Sequence, residues 1–116
     1  MSDMDVEISI SCFGENIGKT ILPKSHDIFV EKSDRHLSMV YKKSQDVDLD
    51  EMMTDFLDVV SGIDFSAFDS KLFRVAFFVY PSDGVAFFST EIGGRVISVI
   101  EKMGADLEVS FYPCSE

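Results

Sequence analysis

Between Leu72 and Phe88 the chain reads Leu-Phe-Arg-Val-Ala-Phe-Phe-Val-Tyr, then Pro-Ser-Asp-Gly, then Val-Ala-Phe-Phe. Two β-favouring runs flank a four-residue turn signal, which predicts a β-hairpin of 72–80 with 85–88. Both runs are apolar at nearly every position, so both faces of these strands need cover or aromatic neighbours. The rest of the chain must supply that cover. At 116 residues it is expected to be one domain, 1–116, large enough to bury a core without metal or disulfide. An apolar content of 46%, including 11 Phe, is too high for a disordered chain.

Val6 to Phe13 alternates, with Val6, Ile8, Ile10 and Cys12 on one side and Glu7, Ser9 and Ser11 on the other. That pattern is a half-buried strand. Gly14 to Ser25 reads as a loop, broken by Gly14, Gly18 and Pro23. Ile28–Val30 and Leu37–Lys43 are two more strands, paired as a hairpin through the polar turn 32–35. Asp48 opens a helix as N-cap, with Glu51 three residues on to complete a capping box. Leu49, Met52, Met53, Phe56, Leu57, Val60 and Ile63 then recur at helical spacing as one apolar stripe, and Gly62 stops it. Phe65 and Phe68 are expected to tuck into the core from the loop that follows.

Beyond the hairpin, Ser89 or Thr90 caps a second helix, with Glu91 in its first turn. Its buried face is Ile92, Val96, Val99, Ile100 and Met103, and Gly104 ends it. Gly93-Gly94 weakens that helix, which points to close packing against the sheet or, second, to a ligand approaching the backbone. Asp106 to Tyr112 alternates with Leu107, Val109 and Phe111 inward, and Pro113 stops it. The order βββ-α-ββ-α-β predicts an α+β fold: a mainly antiparallel sheet of about six strands with two helices on one face. The final strand–strand–helix–strand segment is similar to half of a ferredoxin-like sandwich.

Chemistry-bearing motifs are weak. Gly14-Glu-Asn-Ile-Gly18-Lys19-Thr20 is one residue short of a phosphate-binding loop. Ile21-Leu22-Pro23 cannot start the helix such a loop needs, so it reads as an ordinary loop. His26 and His36 are ten residues apart and lack metal-ligand spacing. Asp46, Asp48 and Asp50 open like a calcium loop but lack its glycine and distal glutamate. Cys12 with a histidine is the one thiol–imidazole option, yet Cys12 falls on an apolar strand face where a thiol is inert. Cys12 and Cys114 are expected to be free thiols. Arg74, alone in an apolar run, needs an anion, either a structural acid or a ligand.

The charge is the more informative feature. Ten Lys and Arg face 21 Asp and Glu, for a net charge of −11, which opposes a role in gripping phosphate backbones. From 44 to 70 there is no Lys or Arg, but there are eight acids: Asp46, Asp48, Asp50, Glu51, Asp55, Asp58, Asp64 and Asp69. Glu51, Asp55 and Asp58 share one helix face at spacings of four and three. Like charges so placed destabilise a helix. The face is therefore either simply solvated or a docking surface for a cationic partner.

The segment Thr90–Val109, TEIGGRVISVIEKMGADLEV, together with the acidity and α+β layout, resembles the small acidic immunity proteins of bacterial toxin–immunity systems of the contact-dependent growth inhibition type. The resemblance implies a non-catalytic inhibitor that neutralises a cognate toxin domain, a basic one and in some cases a nuclease. The weak motifs and the acidic charge lead to the expectation of no cofactor, no metal and no direct nucleic-acid contact. The eight acids are the expected partner-binding residues, with Tyr41, Phe65 and Phe68 as anchors where exposed. The chain shows no apolar run of membrane-spanning length, and its acidic start, MSDMDVEI, lacks the basic region of a signal peptide. A cytoplasmic location is expected. The alternatives are a small ligand-binding or enzymatic domain with a pocket near Arg74 between sheet and helices, or a structural subunit joined at an exposed strand edge.

Overall fold

The computed structural model describes residues 5–15, 17, 28–43, 48–65, 68–80 and 91–114. Its elements are β1 (Asp5–Gly14), β2 (Ile28–Lys32), β3 (His36–Lys43), α1 (Leu49–Val60), β4 (Phe68–Val79), α2 (Gly94–Lys102) and β5 (Asp106–Pro113). The strands form one sheet in the order β2-β3-β1-β4-β5. The class is α+β as expected, but five strands are described and the sheet is mixed. β1 pairs antiparallel with β3 and β4, β2 antiparallel with β3, and β4 parallel with β5.

The parallel pair corrects the hairpin expectation. Between Leu72 and Phe78, β4 has β1 along one edge and β5 along the other. Both of its hydrogen-bonding edges are therefore taken by strands distant in sequence. The second hairpin run, 85–88, lies outside the described residues. α2 makes the crossover that a parallel pair requires. β4 and β5 are immediate neighbours, so the split strand–helix–strand of a ferredoxin-like half is absent here.

The alternation of β1 defines two faces. Val6, Ile8, Ile10 and Cys12 are buried, and the register places Tyr41, Met39 and Leu37 of β3 and Phe77, Val75 and Phe73 of β4 on the same side. α1 covers that side: Phe56 packs edge-on to Phe73 at 5.8 Å and stacks with Tyr41 at 6.4 Å. Its stripe of Leu49, Met52, Met53, Phe56, Leu57 and Val60 is buried as the spacing predicted. Val96 and Ile100 of α2 join the same core. Both described helices thus lie on one face, and among the described residues the other face of the sheet carries no helix.

The helix ends follow local chemistry. Asp48 Oδ1 accepts the Glu51 N–H at 3.2 Å, the expected N-cap. At the end of α2, Gly104 (φ 69°) donates to Glu101 O at 2.9 Å while Ala105 donates to Ile100 O at 3.2 Å. This is a Schellman motif, whose left-handed residue favours glycine. The start of α2 differs from expectation. Its N-cap is Gly93, three or four residues later than expected, and Glu91 lies ahead of the helix, whose first turn holds no acid. Ser89 and Thr90 lie outside the described residues.

The inward placement of Leu107, Val109 and Phe111 needs correction. They share the helix-facing side with Phe73, Val75 and Phe77, but are 41%, 45% and 55% exposed. β5 is the last strand of the described sheet, and these three side chains stay outside the fully buried core to which Val96 and Ile100 of α2 belong. Alternation reveals which side of a strand is apolar, but not whether the helix layer reaches that far.

Candidate functional site

Of the eight acids, seven are described and all seven are exposed: Asp48, Asp50, Glu51, Asp55, Asp58, Asp64 and Asp69. Asp46 lies outside the described residues. Asp48 and Asp50 have structural work. Asp48 caps α1, and Asp50 Oδ1 accepts the backbone N–H of Gly93 at 3.3 Å, tying α1 to the start of α2. A Cβ on Gly93 would stand 2.7 Å from that oxygen, whereas one on Gly94 would meet nothing within 4 Å. The close approach behind the Gly-Gly pair is therefore to a carboxylate of α1 rather than to the sheet, and only Gly93 makes it.

Glu51, Asp55 and Asp58 line the solvent side of α1, opposite the buried stripe. The ion pairs of the sheet, Lys42 with Glu7 at 3.7 Å and Arg74 with Glu108 at 2.7 Å, consume none of them. The last turn of α1 has no basic residue, and Asp58 sits near the helix C-terminus, where the helix dipole disfavours an acid. Asp64 lines a groove of about 620 Å³ between the C-terminal ends of α1 and α2, beside Lys71, Glu101 and Lys102. Asp69 stands at the start of β4. The three helix acids form a compact negative strip, while the other described acids are distributed around it in the chain with separate settings.

The remaining candidates fall apart as sites. Arg74 projects from the helix-free face, because its register partners are Ser9 and Glu108, so it cannot line a pocket between sheet and helices. Its anion is Glu108; the 2.7 Å contact is an ion pair without good hydrogen-bond alignment at Nε. Buried side chains among the described residues are all apolar or thiol. Cys12 is buried, and desolvation pushes its thiol from 9.0 up to about 11, with nearby Lys71 opposing part of the shift. His36 pairs with Phe13, one position from Cys12 and hence on the opposite face, where its ring stacks on Phe13 at 4.5 Å. Thiol and imidazole are thus separated by the sheet.

Cys12 is level with Lys71 on β4, whereas the Cys114 N–H donates to Val79 O at 2.8 Å. The eight residue steps between those β4 positions span roughly 26 Å of strand, so the two free thiols are far beyond bridging distance. His26 lies outside the described residues, as does Gly18-Lys19-Thr20. Among the described residues no three His, Cys, Asp or Glu side chains converge on a point.

The aromatic anchors resolve into core. Phe65 and Phe68 are buried and pack edge to face at 5.6 Å, and Tyr41 is half-buried against Phe56. Among the described residues the exposed aromatics are others: Phe29 at 79% on β2, Phe13 on β1, and Phe111 and Tyr112 on β5. Phe29 and Val40 with Glu7 and Lys42 line a shallow recess on the helix-free face. Sequence spacing gave no sign of this, because edge strands and interior strands share the same residue types. Among the described residues no helix is long and apolar enough to cross a membrane. No family model, no curated protein and no solved structure matches the chain.

Proposed function

We propose that this chain is a non-catalytic binding protein of the immunity type, acting in the cytoplasm, which neutralises a basic toxin domain by presenting the acidic side of α1. The observation that carries the reading is the strip Glu51-Asp55-Asp58. It is exposed, mutually repulsive and unused by the fold. A helix surface under selection for stability alone gains from interleaved Lys. An array of carboxylates on a rigid helix can take the place that phosphates occupy on a nucleic-acid-binding protein. Complementary charge would speed encounter and make it salt-sensitive. Asp48 and Asp50, at the start of the same helix, extend the negative field of that strip, and Asp46, Asp64 and Asp69 add to the negative charge of the same stretch of sequence.

The test has two steps. The tagged protein is used to capture partners from the producing cell at low salt, and a stoichiometric basic partner is purified. Its affinity is then measured for the wild type and for E51Q/D55N/D58N. The reading expects growth rescue when chain and partner are co-expressed, and expects the triple variant to bind about tenfold or more weaker at low salt. An unchanged affinity in the triple variant would remove α1 from the interface.

A further inference from the structure

We draw no further inference here: the strongest candidate, the groove between the C-terminal ends of α1 and α2 with Lys71 and Lys102 on its lining, carries nothing, because Lys71 Nζ already donates to Phe65 O at 3.2 Å, Asp64 holds a further interaction, and with residues 66 and 67 outside the described ones nothing in the structure shows what covers it.

Discussion

Gly93 and Gly94 are neighbours in sequence with opposite structural demands. A methyl group on Gly93 collides with Asp50 Oδ1, displacing the carboxylate that accepts its N–H. Gly93→Ala should therefore cost about 1 kcal/mol, the worth of an ordinary hydrogen bond. That loss should shrink in an Asp50→Ala background, as a double-mutant cycle in urea would reveal. Gly94→Ala enters open space in the first helical position and should gain from a few tenths to about 1 kcal/mol. Cys12 makes a second residue-scale prediction. In the unfolded chain its thiol ionises near its ordinary value, while in the fold it keeps its proton to about 11. The unfolded state thus loses the proton first as pH rises. The stability this thiol contributes is complete below pH 9 and declines between 9 and about 11. Comparing urea midpoints of wild type and Cys12→Ala at pH 7 and pH 10 isolates that slope. In the native protein at pH 8, alkylation should reach Cys114 and spare Cys12.

At the scale of elements, α1 carries a conflict between stability and charge. Glu51 and Asp55 at i,i+4, and Asp55 and Asp58 at i,i+3, repel by about 0.2–0.5 kcal/mol per pair. E51Q/D55N/D58N should therefore melt slightly higher than the wild type at low salt, with the gain vanishing at high salt, while binding weakens. A stabilised variant that binds less well would separate a functional surface from a merely solvated one. Phe56→Ala, which removes the ring between Tyr41 and Phe73, should cost about 3–5 kcal/mol. α1 was legible in sequence because its cap and its stripe are local signals, written within 12 residues. The partner of β4 was not. Its second edge goes to β5 in parallel register, a long-range choice that no periodicity encodes. The start of α2 was misplaced for a similar reason: Gly93 serves as N-cap while its N–H is held by Asp50, 43 residues away. The acidic strip could be found from composition alone, whereas the exposed stripe of β5 required knowing which strand is last in the sheet.

At the scale of the whole molecule, the fold separates two surfaces. The outer side of α1 bears acids, while β5, last in the described sheet, bears half-exposed apolar residues with few charges. A net charge of −11 would aid encounter with a cationic partner at the first surface. Salt should therefore weaken that contact. The measurement that tests the central claim most directly is the affinity for the purified basic partner across a salt series, for wild type and E51Q/D55N/D58N side by side. The account predicts a steep fall in wild-type affinity with salt and a shallower fall for the variant, the two curves converging at high salt. Parallel curves of equal affinity would contradict it, because the carboxylates of Glu51, Asp55 and Asp58 would then play no part in recognition.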